Sequence, residues 1–125
     1  MVTFVEGTPW YHVYVTYAVI HGIINSSDFA DVTRRATRAE MAYIFSRALP
    51  SSELASKNTV NSIPDVNSGT SYRESIQTLY RAGVIGGDAG TFAFRPNDRI
   101  VRAEAAAILA RLILPDSRFS GRTYG

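Results

Sequence analysis

The stretch Asp98–Leu114, DRIVRAEAAAILARLIL, decides the fold, because the chain carries a near copy of it at Arg34–Leu49, RRATRAEMAYIFSRAL. When Arg38 is aligned with Arg102, the alanine and the glutamate that follow each arginine also coincide. Apolar residues recur in both copies at i, i+3, i+4, i+7 and i+8. This spacing predicts two amphipathic helices, each of which buries one apolar stripe.

The starts of these two helices suggest a binding role. Thr37-Arg38-Ala39-Glu40 fits a capping box, in which the threonine hydroxyl accepts an early backbone N–H and the glutamate reaches back. Val101 replaces the threonine in the second copy, so we expect only the half of the box that Glu104 supplies. The helix dipole disfavours an arginine at the first helical position. A guanidinium beside free backbone N–H groups would instead suit a carboxylate or a phosphate.

The repeat continues upstream of the arginine helices with a register shifted by three residues. In the second copy, Ser71-Tyr72-Arg73-Glu74 is another candidate capping box, and Gly83 is predicted to end the helix. The first copy starts the same helix at Thr8 and Pro9 and ends it at Gly22. Two helix-loop-helix units therefore account for most of the chain, which predicts an all-α fold.

The segments outside the helices define the predicted boundaries. The polar, aperiodic segment Pro50–Ser62 is typical of a linker, and the sequence from Pro115 onward is typical of a frayed tail. Gly86, Gly87 and Gly90 allow tight turns in the loop of the second copy, whereas the loop of the first copy is shorter. We divide the chain into a first repeat with a degenerate loop at 1–50, a linker at 51–62, a second repeat at 63–114 and a C-terminal tail at 115–125.

Composition excludes several classes of function. The chain has 125 residues, a formal net charge of +2 and no cysteine, so it forms neither a disulfide framework nor a thiolate metal site. The charge bias is too weak to indicate nucleic acid or an anionic membrane as a partner. No apolar run approaches the ~20 residues of a membrane helix, so we expect no membrane insertion. The N-terminus lacks the plan of a signal peptide, so a signal of an exported protein would be removed or lie outside this chain.

Catalysis finds no support in the sequence. Glu40 and Glu104 could be imagined as a glycosidase pair, but capping explains both. His12 and His21 do not share a helical face, and no clustered carboxylates complete a metal site. A helix-turn-helix reading fails because the connection exceeds the usual turn of about three to four residues. We expect no enzyme activity, no cofactor, no metal site and no binding to nucleic acid.

Each copy resembles an S-layer homology repeat, whose plan runs from an F-x-D-V start through G-I-I-x-G and D-G-x-F-x-P to T-R-A-E. The second copy carries the matching residues in order: Ile63-Pro64-Asp65-Val66, Tyr72, Gly83-Val84-Ile85-Gly86-Gly87, Gly90-Thr91-Phe92, Arg95-Pro96 and Val101-Arg102-Ala103-Glu104. The first copy keeps Gly22-Ile23-Ile24 and the complete Thr37-Arg38-Ala39-Glu40. It departs from the plan at Phe4, at Ser26 and at Asp31-Val32, so we expect it to be the poorer ligand site.

The resemblance implies a spindle of three repeats with pseudo-threefold symmetry and ligand grooves between neighbours. Because this chain has two copies, a third would come from elsewhere in the parent protein or from a homo-oligomer. The implied function is non-catalytic anchoring of an exported, extracellular protein to the bacterial cell wall. The implied partner is a secondary cell-wall polysaccharide, which often carries a ketal-linked pyruvate.

The resemblance also implies the residues of a glycan site. Arg102, Gly87 and Asp65 are the first candidates, Arg38 belongs to a second groove, and Tyr72 is the aromatic residue that leads the helix. A pyruvate carboxylate would suit a guanidinium. Structural alternatives remain open: a salt bridge for Arg102, a turn requirement for Gly87 and a turn cap for Asp65. The alternative function is an assembly module that packs repeats together without binding glycan.

Overall fold

A computed structural model of the chain describes residues 12–29 and 35–125. The chain divides after residue 34 into two compact units. In order, the elements are α1 (His12–Ile20) in the first unit and α2 (Arg38–Ala48), β1 (Thr59–Val60), α3 (Arg73–Ala82), α4 (Arg102–Ile113) and β2 (Thr123–Tyr124) in the second. The described chain is mostly helical, but the two-stranded sheet of β1 and β2 departs from the predicted all-α fold. The expectations at Phe4, Thr8, Pro9 and Asp31-Val32 lie outside the described residues.

Helix α1 is apolar along its whole length, HVYVTYAVI. It ends at Ile20, and Gly22 follows with a φ of +70°. The helix thus stops close to the predicted glycine. The side chains of Tyr17 and Ile20 are exposed.

The core of the second unit forms where α2 packs against α3. The buried apolar residues of both helices meet the segment after α3 and the penultimate residue, Tyr124: Ala39, Met41, Ala42, Ile76, Leu79, Tyr80, Val84, Ile85, Phe94 and Tyr124. Helix α4 contributes only Ile108 and Leu112 as buried residues. It is the helix with the smallest share in the core of this unit.

The helix starts show the predicted difference between the two copies. At α2, the N–H of Glu40 donates to Thr37 Oγ1 over 3.1 Å, and the N–H of Thr37 donates to Glu40 Oε1 over 2.8 Å. The capping box is complete there. At α4, the N–H of Val101 donates to Glu104 Oε1 over 3.4 Å, but valine has no acceptor to return the bond. The half-box expected at α4 is therefore present.

The capping box predicted at Ser71–Glu74 is wrong. Tyr72 precedes α3 in the left-handed conformation, with a φ of 59°, and no side chain caps the helix. This conformation moves Ser71 away from the cap position and costs about 1–3 kcal/mol for a residue other than glycine. The ring of Tyr72 stacks on Tyr43 with ring centroids 4.6 Å apart, which stabilises the turn. At the other end of α3, Gly83 has a φ of 79° and ends the helix as predicted.

The expectation of a frayed tail after Pro115 is wrong. The N–H of Phe119 donates to Gly83 O over 2.9 Å, and β2 then pairs in parallel with β1. Arg118 is buried and donates to the carbonyl oxygens of Arg111 and Leu112, where α4 ends. Polar composition alone does not show that these donors and acceptors satisfy one another inside the fold.

The segment expected to be a linker, 51–62, is tied to the same sheet. The side chain of Asn58 is buried and donates to Tyr80 O over 3.1 Å and to Phe119 O over 3.0 Å. Its carbonyl oxygen accepts the N–H of Arg122 over 2.9 Å. One asparagine therefore joins the segment between the copies, the end of α3 and the C-terminal tail.

Candidate functional site

A pocket of about 180 Å³ lies where the start of α2, the glycine turn after α3 and the middle of α4 meet. We call it the glycine-turn pocket; it is lined by Arg38, Ile85, Gly86, Gly87, Asp88, Glu104, Ala107, Ile108, Arg111 and Phe119. Pockets that enclose a drug-sized ligand measure roughly 300–1,000 Å³. The glycine-turn pocket therefore suits one polar or charged group of a larger ligand.

Gly87 forms one wall of this pocket and meets a strict turn requirement. Its φ is +73°, and an added Cβ would overlap the carbonyl oxygen of Phe92 and lie 2.6 Å from Tyr80 Oη. The hydroxyl of Tyr80 donates to that same carbonyl over 3.0 Å. Burial, followed by the charge of Asp65, raises the pKa of Tyr80 well above its usual range, so the donor keeps its proton. The hydrogen bond from Tyr80 to Phe92 thus stabilises the loop that contains Gly87.

Arg38 lines the pocket, but its guanidinium is held by internal partners. Its side chain is buried, Nε donates to Phe94 O over 2.6 Å, and Nη1 forms an ion pair with Glu104 Oε2 over 2.6 Å. The guanidinium carbon also lies 5.1 Å from the centre of the Phe94 ring. The ion pair considered for Arg102 as a structural alternative is therefore formed at Arg38, where it connects the first copy to the second.

Arg95, which the site prediction did not include, forms ion pairs with the carboxylates in and around the pocket. It forms ion pairs with Asp88 over 2.9 Å, with Asp98 over 3.1 Å and with Glu104 over 2.9 Å. Hydrogen bonds that Arg95 donates, to Asp88 first and to Asp98 second, raise the pKa of Arg95 above its usual value. Glu104 is accordingly a shared acceptor for two arginines as well as a helix cap. The presence of Asp88, Asp98 and Glu104 within nine residues of Arg95 in the sequence could have indicated these ion pairs.

Asp65 and Tyr72 lie outside the pocket lining. Asp65 Oδ1 accepts the N–H of Phe94 over 2.8 Å, and Oδ2 accepts the N–H of Arg95 over 2.7 Å. Both oxygens therefore hold the loop before α4, and Asp65 does not cap the turn before α3. Tyr72 packs against Tyr43, as described above.

Arg102 is exposed at the start of α4 and does not line the pocket. Within residues 12–29 and 35–125 its guanidinium has no hydrogen bond and no ion pair. Of the five expected site residues, the pocket thus brings together Arg38 and Gly87. Of the two arginines that begin α2 and α4, the one beside the glycine turn is therefore Arg38, from the segment that precedes the turn, and not Arg102.

Arg111 is the second arginine of the pocket, and the site prediction did not include it. Its Nε donates to Val84 O over 2.7 Å, and its guanidinium carbon lies 4.8 Å from the centre of the Phe119 ring. Burial first, and the charge of Arg122 second, lower the pKa of Arg111. No carboxylate pairs with Arg111 in the part of the chain that the structure describes. The pocket therefore holds a half-buried cation without a counter-ion from residues 12–29 or 35–125.

The described residues contain no cluster suited to a metal ion and no helix suited to span a membrane. No group of three or more histidine, cysteine, aspartate or glutamate side chains is suited to hold a metal ion there. In that same part of the chain, no helix is both long and apolar enough to cross a membrane.

Residues 62–106 match the family model of the S-layer homology domain. The match covers the second copy from the end of β1 into the first turn of α4, and the first copy remains a prediction. A domain of this family is in general a cell-wall anchoring module of the cell surface, and such domains are generally non-catalytic. Comparisons with curated proteins and with solved structures gave no match.

Proposed function

We propose that this chain anchors an extracellular bacterial protein to the cell wall by binding an acidic secondary cell-wall polysaccharide, with a pyruvylated glycan as its ligand. The observation that carries this proposal is the glycine-turn pocket, which contains a half-buried arginine without a carboxylate partner in the described chain. The match of residues 62–106 to a family of wall-anchoring domains supports it.

The chemistry of the pocket suits a carboxylate on a sugar. A guanidinium binds a carboxylate through two parallel hydrogen bonds, and such charge-assisted bonds are about twice as strong as neutral ones. Half-burial of Arg111 strengthens the attraction because the effective dielectric constant is lower than in water. A ketal-linked pyruvate projects its carboxylate from the sugar, and a pocket of about 180 Å³ admits that substituent while the polymer stays outside.

The five expected site residues take different parts in this proposal. Gly87 shapes the wall of the pocket, and Arg38 closes its floor through the ion pair with Glu104. Asp65 holds the loop that supports the turn, and Tyr72 fixes the start of α3. Arg102 is the counterpart of Arg38 in the second copy, and we propose that it completes a second pocket with the glycine turn of a further repeat.

The exposed face of α4 supports a further repeat. Phe45 and Leu49 of α2 are partly buried against the core. Their counterparts in α4, Leu109 and Ile113, are 43% and 64% exposed. The two helices have the same apolar pattern, but α2 packs on α3, whereas α4 has no such helix packed on it within the second unit, residues 35–125. We propose that a repeat from a second copy of the chain covers this face and extends the packing towards a pseudo-threefold spindle.

Retention on purified cell-wall sacculi tests the anchoring function. We expect the wild-type chain to sediment with sacculi and to lose at least about tenfold of its affinity, or ~1.4 kcal/mol, when pyruvate is removed chemically. Arg102→Ala should weaken retention, whereas the matched control Arg73→Ala should not, although both arginines are exposed first residues of helices. Equal retention on pyruvate-free walls would contradict glycan recognition and favour the assembly module.

Sedimentation velocity tests the proposed covering of α4. We expect the wild-type chain to self-associate as its concentration rises, because self-association would bury the exposed apolar face of α4. Ile113→Glu places a charge in that face and should give a monomer, whereas Ser120→Glu, at an exposed position of the tail, should associate like the wild type. A wild-type chain that stays monomeric at high concentration would overturn the proposal of a second copy.

A further inference from the structure

We propose that Arg111, which lines the glycine-turn pocket, and Arg122, which lies beside it, are both held against the ring of Phe119 and together recognise an oxyanion of the ligand. The inference rests on the proposed function and deepens it, because it names the atoms that would read the acidic group. The oxyanion is a carboxylate or a phosphate carried by the wall polymer. Arg122 belongs to the C-terminal segment, which the sequence predicted to be a frayed tail.

The geometry brings two guanidinium groups to one aromatic ring. The guanidinium carbon of Arg111 lies 4.8 Å from the centre of the Phe119 ring, and that of Arg122 lies 3.9 Å from it. Such contacts orient a guanidinium and leave its N–H edge available for hydrogen bonds. Arg111 is further fixed by the bond from Nε to Val84 O. Two planar donors are thus arranged in advance beside the pocket.

Among the residues that the structure describes, no acidic side chain forms an ion pair with Arg111 or Arg122. The carboxylates that line the pocket, Asp88 and Glu104, are already in ion pairs with Arg95 and Arg38. Burial first, and the like charge of Arg122 second, lower the pKa of Arg111, because both disfavour its charged form. Since arginine stays protonated at neutral pH, the folded protein bears this repulsion until an anion arrives. A bound oxyanion would relieve it.

Gly86 leaves room for the arginine pair next to the pocket. A Cβ added at Gly86 would lie 2.8 Å from Arg122 Nη1 and 2.8 Å from Phe119 Cε2. Any larger residue would push Arg122 and the ring away from the pocket wall. The glycine therefore permits a close approach of the tail, and the pairing of β2 with β1 keeps the tail in place.

Thermal unfolding in the presence of small oxyanions tests the inference directly. The wild-type chain is titrated with sodium pyruvate, or with inorganic phosphate, at ionic strength held constant with sodium chloride. We expect its unfolding temperature to rise with either or both anions, because a ligand that binds the folded state stabilises it by mass action. The larger rise identifies the carboxylate or the phosphate as the preferred group. The double variant Arg111→Gln/Arg122→Gln should lose this rise, whereas the control Arg73→Gln should keep it.

A conservative variant separates recognition from folding. Arg111→Lys keeps the charge but removes the planar fork, so we expect a smaller anion-dependent rise than in the wild type. If the double variant unfolds at a lower temperature without anion, Arg122→Gln alone is compared with Arg73→Gln. An anion-dependent rise that is equal in the wild type and in the arginine variants would overturn the inference.

Retention on sacculi distinguishes failure of the inference from failure of the proposed function. If the wild type and the double variant are retained equally on pyruvylated walls, the proposed anchoring function is supported, but Arg111 and Arg122 do not recognise the ligand. If the wild type is not retained but its response to pyruvate or phosphate depends on Arg111 and Arg122, the anion site is supported and the wall-anchoring function is contradicted. We expect strong retention of the wild type and at least a tenfold loss in the double variant.

Discussion

Gly83→Ala is expected to lower the free energy of unfolding by about 3 kcal/mol or more, which is at the upper end of single substitutions. The φ of Gly83 is +79°, a conformation that alanine adopts at a cost of about 1–2 kcal/mol. In addition, the new Cβ would overlap the carbonyl oxygen of Phe119. This neighbour is backbone, so no change of rotamer relieves the overlap, and the tail must move away. Urea unfolding measures the loss.

Gly90→Ala is the matched control for this prediction. Gly90 has a similar φ, +86°, but an added Cβ would meet no atom within 4 Å. We therefore expect a loss of only about 1–2 kcal/mol, the cost of the left-handed conformation alone. Equal losses in the two variants would show that the approach of Phe119 to Gly83 contributes nothing. Hydrogen exchange at the N–H of Phe119, which bonds Gly83 O, reports the docking of the tail independently.

Tyr124→Ala is expected to lower the free energy of unfolding by about 3–5 kcal/mol, as for other large aromatic residues removed from a core. Tyr124 is 2% exposed, although it is the penultimate residue. Its ring packs edge-on against Tyr80 and Phe92 with centroid distances of 5.1 and 5.4 Å. Removal of the ring leaves a cavity beneath the glycine turn. Urea unfolding followed by circular dichroism measures this effect.

Tyr124→Phe separates packing from hydrogen bonding at the same position. The hydroxyl of Tyr124 has a long contact, 3.4 Å, with Arg122 Nη1. A phenylalanine keeps the ring contacts and should cost less than about 1 kcal/mol. If Tyr124→Ala were as stable as Tyr124→Phe, the ring of Tyr124 would contribute nothing to the core, and the C-terminal tail would be dispensable for folding.

Local features were predicted well because they depend on residues close together in the chain. The capping box at Thr37 and Glu40 involves atoms three residues apart, and the helix end at Gly83 follows from the conformational freedom of glycine. The half-box at Val101 follows from the lack of an acceptor in valine. The failure at Tyr72 has a tertiary cause, since a partner from α2, Tyr43, stabilises a left-handed residue there.

The candidate site was predicted only in part. Gly87 and Arg38 line one pocket, but each was assigned to a different groove from its position in its own copy. Because α2 packs on α3, the arginine of one copy meets the glycine turn of the next. Arg111 and Arg122 were not predicted, because their relation to Phe119 joins a helix to a tail that composition describes as polar and irregular.

By itself, the sequence determined the helices α2, α3 and α4, the capping box of α2, the glycine end of α3 and the likeness of residues 62–106 to a wall-anchoring family, since these depend on spacing along the chain. The tertiary structure decided which arginines are neutralised and which are not. Arg38 is paired with Glu104, whereas Arg111 lines the same pocket without a carboxylate. Ion pairs depend on distances in space between residues far apart in sequence, and a repeat pattern assigns the same role to both copies. Only the packing of α2 on α3 decides which arginines lie close enough to a carboxylate to form an ion pair.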